Sequence, residues 1–340
     1  MGSNSNQGRF AYEFERPILE LEKQIKELSE RAASEHEDLT EQIADLQRRL
    51  DQMLEETFSN LSAYERVCLA RHPQRPQPMD YVKAIFTDFI ELHGDRRWGD
   101  DRAVVTGLAT LDDYQVMIVA QHKGRETKEK MEANFGMPRP EGYRKALHKM
   151  RLAEKFGMPV VCLIDTPGAA PTIAAEERGQ AMAIAENIFA MAGLRVPIIV
   201  LVTGEGCSGG ALGIGVGDRF ALLENAYYAV ISPEGCAAIL FRDGSQAEPA
   251  AEAMKLTAED LMEAGIIDAV IPEPLGGAHR GPQKTAREVE RYLASTLEEL
   301  GQIPVDQLLE ERYRRYREIG PYTRVPQPEP EPSPEPAAEG

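Results

Sequence analysis

Apolar residues recur at helical spacing near the start of the chain. Ile18, Leu21, Ile25 and Leu28 step by three, four and three residues; Leu39, Ile43, Leu46, Leu50 and Met53 step by four, three, four and three. Charged residues fill the intervening positions, as in an amphipathic helix with one face for packing. The two runs do not share a register, and Ser34-Glu35-His36-Glu37 between them reads as a capping box. The pattern predicts two helices, compatible with an antiparallel hairpin. Periodicity of this kind points to a packing or oligomerisation arm rather than to catalysis. No Gly or Pro occurs from Ile18 to His72, and Pro73, Pro76 and Pro78 then end the arm, which is assigned to residues 1–72.

Beyond the arm the pattern changes to alternating α/β material. Ala103–Leu111 and Tyr114–Gln121 read as a strand pair around Asp112-Asp113, followed by a helix through Tyr143–Phe156. Pro159–Asp165 (PVVCLID) and Pro197–Thr203 (PIIVLVT) are short apolar runs of buried-strand type, separated by a helix over Ala174–Ala192. Tyr227–Ile231 and Ile266–Ile271 read as further strands. Pro326–Gly340 holds six Pro and four Glu with no cation and no large apolar group, so residues 323–340 are expected to be a disordered acidic tail. This leaves residues 73–322 as the main domain.

Two of the strands lead into Gly-bearing loops followed by helices: Asp165-Thr166-Pro167-Gly168-Ala169, and Gly204-Glu205-Gly206-Cys207-Ser208-Gly209-Gly210-Ala211. Glycine permits left-handed backbone and close ligand approach, and the following helix points free N–H groups at the loop. Such a pair can cradle a developing oxyanion; close helix–strand packing is the plainer reading of each loop taken alone. Gly206-Cys207-Ser208-Gly209-Gly210 also fits G-x-S-x-G, a nucleophile elbow, for which His279 is the only downstream histidine. Glu252-Ala253-Met254-Lys255 matches the E-A-M-K biotinylation motif but falls within a helix–Thr257 cap–helix pattern, so it reads as coincidence. Lys123–Lys130 is a basic stretch in an acidic chain, either a solvated loop or an anion or partner contact.

Composition narrows the class. The chain has 340 residues with 38 Lys+Arg against 56 Asp+Glu, a formal charge of −18, which disfavours sequence-blind nucleic-acid binding. The four Cys form no CxxC pair, so neither a structural zinc nor a disulfide framework is expected. The N-terminus lacks a cationic and apolar leader, and the longest strongly apolar run, Val196–Val202, is too short for a bilayer. A cytoplasmic enzyme is expected.

The runs RHPQRPQPMDYV, HKGRETKEKMEANFGMPRPEGYRKAL, IDTPGAAP, AEERGQAMAIAENI, GEGCSGGALGIGVGD, VISPEGCAAIL and IIDAVIPEPLGGAHR resemble, in order, the α subunits of bacterial acetyl-CoA carboxylase carboxyltransferases, over about residues 66–280. The resemblance implies a crotonase/Clp-protease-like superhelix of ββα units. It implies transfer of CO2 from carboxybiotin to acetyl-CoA, giving malonyl-CoA, the first committed step of fatty acid synthesis. The implied partners are a carboxyltransferase β subunit in an α2β2 heteromer, the biotin carboxyl carrier protein and biotin carboxylase. The carrier supplies carboxybiotin; the β subunit binds acetyl-CoA and carries a zinc ribbon, so no metal or covalent cofactor is expected here. By the same resemblance Gly209 and Gly210 correspond to the oxyanion donors, and Gly168, Ala169, Gly206 and Ala211 to the carboxybiotin cleft. Where the family commonly has Tyr-Pro-Gly after the first loop, this chain has Ala170-Pro171-Thr172, and Cys207 replaces a usual Gly. Gly210 is expected at the cleft surface, where a side chain would spare the fold. The rival readings are a crotonase-type hydratase or hydrolase using Glu176, Glu177 or Glu205, and a non-catalytic scaffold.

Overall fold

A computed structural model describes residues 10–35 and 38–320; the acidic tail, residues 1–9 and the His36-Glu37 part of the capping-box reading lie outside them. Helices α1 (Arg16–Glu35) and α2 (Thr40–Phe58) form where the two apolar stripes fall. Ile18, Leu50 and Phe58 are buried together with Leu69 of α3 (Ala63–Ala70), and Leu21, Ile25 and Met53 pack around them. The arm therefore uses its apolar face on itself and on α3. Ser62 caps α3, accepting from the Glu65 N–H at 3.2 Å while the Glu65 carboxylate takes the Ser62 N–H at 2.8 Å.

The remaining helices are α4 (Pro78–Ile85), α5 (Thr127–Glu132), α6 (Pro140–Phe156), α7 (Ile173–Glu177), α8 (Gln180–Gly193), α9 (Ser208–Leu212), α10 (Pro233–Leu240), α11 (Ala247–Met254), α12 (Ala258–Glu263), α13 (Pro282–Gly301) and α14 (Val305–Glu318). The strands are β1 (Thr87–Glu91), β2 (Val104–Leu111), β3 (Tyr114–Gln121), β4 (Val160–Thr166), β5 (Ile198–Cys207), β6 (Arg219–Leu223), β7 (Tyr227–Ala229) and β8 (Ala269–Ile271). They form one sheet in the order β1-β2-β3-β4-β5-β6-β8, with β7 paired to the far end of β5. β1 to β3 are antiparallel and the pairings beyond β3 are parallel. The β2–β3 turn falls on Asp112-Asp113, with Asp112 left-handed at φ +49°, a conformation a short polar side chain tolerates.

Every residue of β4 and β5 is buried, as for parallel strands covered on both faces. α4 packs on β1, β3 and β4, while α6 packs on β2, β3 and α8. α6 begins with Pro140 and is stopped by Gly157 at φ +67°, the usual asymmetry of helix ends. The stretch Ala174–Ala192, read as one helix, is two: Gly179 at φ +81° breaks it between α7 and α8. On α14 the buried Arg312 donates to both carboxylate oxygens of Asp218, at 2.8 and 2.7 Å, and to the carbonyls of Met191, Leu194 and Val196. This one guanidinium joins α14 to the α8–β5 connection and to the entry of β6. Among the described residues no helix is long and apolar enough to cross a membrane.

Candidate active site

β4 and β5 lie side by side and in parallel, so the loops that follow them emerge together. In the first, the Thr166 hydroxyl lies 2.6 Å from the Gly136 carbonyl and accepts the Gly168 N–H at 3.1 Å, while the Ala170 N–H donates to Pro138 at 2.9 Å. Gly168 sits at φ +145°, which a side chain would resist. In the second, Cys207 is extended (φ −113°) and gives way to Ser208 at φ +58°, where the chain turns abruptly into α9. Cys207 lends the first turn no side-chain cap, so its N–H groups have neither an intrahelical partner nor a capping one.

The two loops touch. A Cβ on Gly210 would stand 2.3 Å from the Gly168 carbonyl carbon and 2.6 Å from the Ala169 nitrogen. Gly210 is thus buried against the first loop, not at the surface as read from sequence, and its glycine identity serves backbone-to-backbone contact. Its carbonyl accepts from Gln121 Nε2 at 2.7 Å and from the Tyr143 hydroxyl at 3.2 Å; Gln121 Oε1 accepts the Asp165 N–H at 3.1 Å. One buried amide therefore ties the end of β4 to the Gly210 turn. Gly168, Ala169 and Gly209 line a cleft of about 480 Å3. It adjoins a more apolar one of about 510 Å3 that shares Ser208, Gly209, Val230 and Ile231. Gly206 and Ala211 lie behind these: Gly206 makes room for the Tyr228 ring, 2.7 Å from where its Cβ would be, and the Ala211 side chain is in the main core.

The departures from the family pattern fall in ordinary places. Cys207 occupies plain extended backbone, Ala170 is buried, and Thr172 caps α7 by accepting the Ala175 N–H at 3.2 Å. Glu252 accepts the Ala63 N–H at 2.7 Å and Lys255 pairs with Asp260 at 3.3 Å. The E-A-M-K stretch thus ends α11 just before the Thr257 cap of α12.

Of the acid–base alternatives, Glu205 and His279 are engaged by other groups, and Glu176 and Glu177 are exposed. Glu205 is buried; burial would raise its pKa, but Lys123 and Arg71, at 2.6 and 2.7 Å, hold it at about 2. It is a fixed anion, unsuited to proton shuttling near neutrality. Glu176 and Glu177 are exposed on α7, with Glu176 at the rim of the cleft. Ser208 lacks its triad partner: His279 stacks on His72 (centroids 3.9 Å apart) and bonds Glu15 at 3.0 Å. Glu15, His72 and His279 are also the only described group whose ligand atoms converge closely enough for a metal. The near-parallel rings, 22° apart, would force an ion out of at least one imidazole plane, and the trio instead joins the arm to the body. Sequence reading gave Gln121, Lys123 and Arg71 no individual role; the signals were the basic stretch beginning at Lys123 and the family-like runs that contain Arg71 and Lys123.

The family described as "Acetyl co-enzyme A carboxylase carboxyltransferase-like" matches residues 11–320. An acetyl-coenzyme A carboxylase carboxyl transferase subunit alpha from Geobacter metallireducens is 54% identical over 311 residues, covering 92% of this chain and 98% of that one. One from Methylococcus capsulatus is 53% identical over 310 residues, covering 91% and 97%. Among solved structures, transcarboxylase 12S superposes with a TM-score of 0.55 at 22% identity, over 67% of this chain and 42% of that one. A Pseudomonas malonate decarboxylase hetero-tetramer chain gives 0.53 at 20% identity, over 65% and 89%. These chains share the fold described above. The chain belongs to the α subunits of acetyl-CoA carboxylase carboxyltransferase, the subunits of the enzyme that transfers CO2 to acetyl-CoA to form malonyl-CoA.

Proposed function

We propose that the touching glycine loops are the carboxybiotin side of this carboxyltransferase, with the N–H groups of Gly209 and Gly210 as donors to the ureido oxygen. The supporting observation is the left-handed turn at Ser208 that opens an uncapped helix onto the cleft beside Gly168 and Ala169. As carboxybiotin releases CO2, negative charge builds on the ureido system, and fixed donors lower the barrier by meeting that charge where it develops. The ureido anion then takes the methyl proton of acetyl-CoA, and the resulting carbanion adds to CO2. This route needs no side-chain base, in keeping with the ion pairs of Glu205 and the hydrogen bond between His279 and Glu15.

The partner assignment is an α2β2 heteromer in which a zinc-bearing β subunit holds acetyl-CoA, served by the biotin carboxyl carrier protein and biotin carboxylase in the cytoplasm. Exposed apolar side chains support it: Val230, which lines both clefts, is 84% exposed, and Ile173 on α7 and Phe189 on α8 are 80% and 85% exposed. The division is an arm over 1–72, a transferase domain over 73–322 built as a ββα superhelix of the Clp-protease kind, and a tail over 323–340. The test is reconstitution: the chain alone should make no malonyl-CoA, and adding the β subunit should restore turnover. Malonyl-CoA from the purified single chain would overturn the assignment.

A further inference from the structure

The β4–β5 ladder is regular from Val160↔Ile198 to Ile164↔Val202, and resumes at Thr166↔Gly206, so β5 carries two extra residues there. The break falls on Asp165 opposite Thr203–Glu205, immediately before both glycine loops. Parallel main-chain bonding, which would fix the spacing of the two strands, is locally lost. Side chains replace it. The Asp165 carboxylate accepts the Glu205 N–H at 3.0 Å and fills the space a side chain at Gly204 would take, 2.6 Å from its Cβ position. Lys123 Nζ then lies 2.5 Å from Asp165 Oδ1 and 2.6 Å from Glu205 Oε2. Its stem is held as well: Gly136 packs flush on it, a Cβ there standing 2.5 Å from Lys123 Cγ, and the Gly136 carbonyl is the one that Thr166 engages.

We propose that Lys123 is a positioning residue for carboxyl transfer: its ammonium bridges the carboxylates at the roots of the two glycine loops and sets the spacing of the oxyanion donors. The inference rests on the glycine-loop reading above. Glu205 has a second cation in Arg71 and a hydroxyl donor in Tyr227 at 2.8 Å, whereas Lys123 is the ion-pair partner the structure gives Asp165. Without the ammonium, two buried carboxylates face each other across the break and the loops separate. The effect belongs to the transition state, because donors displaced by about 1 Å cost on the order of 10²-fold in rate.

The test uses the assembled α/β complex, with malonyl-CoA as donor and free biotin as acceptor, and circular dichroism and thermal melting as folding controls. Lys123→Met should lower kcat about 10²-fold while KM for biotin moves by less than about threefold. Lys123→Arg, which keeps the charge, should recover part of the loss. Where Lys123→Met does not fold, the double variant with Asp165→Asn is read in its place; it removes the unpaired charge without restoring the bridge, and should remain slow. A folded Lys123→Met complex within threefold of the unaltered complex, or a double variant that returns to that rate, removes Lys123 from positioning. Gly210→Ala in the same assay separates the two levels. An unchanged rate there removes the glycine-loop reading itself, whereas loss there with an unaffected Lys123→Met removes only the bridge.

Discussion

The sharpest consequence of the touching loops is a contrast between adjacent glycines. An added methyl at Gly210 meets the Gly168 and Ala169 backbone at 2.3–2.6 Å. Carbon contacts settle near about 3.5 Å, so one loop must move by about 1 Å. Neither neighbour is a side-chain end that can rotate away, and Gly210 is pinned behind by Gln121 and Tyr143. Overpacking of this kind costs about 1–3 kcal/mol, and a 1 Å displacement of donors costs about 10²-fold in rate. At Gly209 the added methyl stands 3.3 Å from Ile184 Cδ1, the mobile tip of a side chain, and the backbone is not left-handed. Gly210→Ala should therefore lose about 10²-fold in kcat and melt a few degrees lower, while Gly209→Ala stays within about tenfold and melts normally. Transfer from malonyl-CoA to biotin by each α/β complex, beside calorimetry, makes the comparison. Equal behaviour of the two variants would refute the claim that loop contact, rather than cleft exposure, makes position 210 sensitive.

Other outcomes follow from the same geometry. Ser208→Ala should keep most transferase activity, and a serine-reactive phosphonate should leave the unaltered protein unlabelled, because His279 is bonded to Glu15; stoichiometric labelling at Ser208 would restore the hydrolase reading. Acidification should destabilise the fold: burial, then the neighbouring His279, pushes His72 down to about 4, whereas the unfolded chain titrates near 6.5. Between those values the unfolded state binds more protons, so stability present above pH 6.5 is lost as the pH falls toward 4. Urea unfolding of His72→Gln should show a shallower decline over that window, and an unchanged slope would acquit His72. Deleting residues 1–58 removes Glu15 from His279 and uncovers Leu69, so the truncated chain should assemble poorly by size-exclusion chromatography; full assembly and activity would make the arm dispensable.

What could be read along the chain was whatever is local. The apolar stripes of α1 and α2, the buried runs of β4 and β5, and the glycines of both loops each carry their signal within a few residues. The break at Gly179 was equally local, but the apolar pattern runs across it and conceals it. Gly204 and Gly206 suggested loop, yet they lie in extended strand, where they admit the Asp165 carboxylate and the Tyr228 ring. The Lys123 bridge spans 82 residues to Glu205, and the His279–Glu15 bond spans 264. Contacts at such separations leave no periodic trace, so Lys123 showed only as one cation in a basic stretch, and His279 as a lone candidate base.

The guanidinium of Arg312 bears on how the chain is made. Asp218 leaves the ribosome 94 residues before the arginine that neutralises it, and the carbonyls of Met191, Leu194 and Val196 wait still longer for their donor. Until α14 emerges, a carboxylate destined for burial at the entry of β6 has no cation, and the central parallel strands cannot close around it at low cost. Vectorial synthesis would thus delay closure of these strands until α14 is available. A chain cut short before residue 312 would carry the buried Asp218 carboxylate without its guanidinium, and should fold less stably than the full chain.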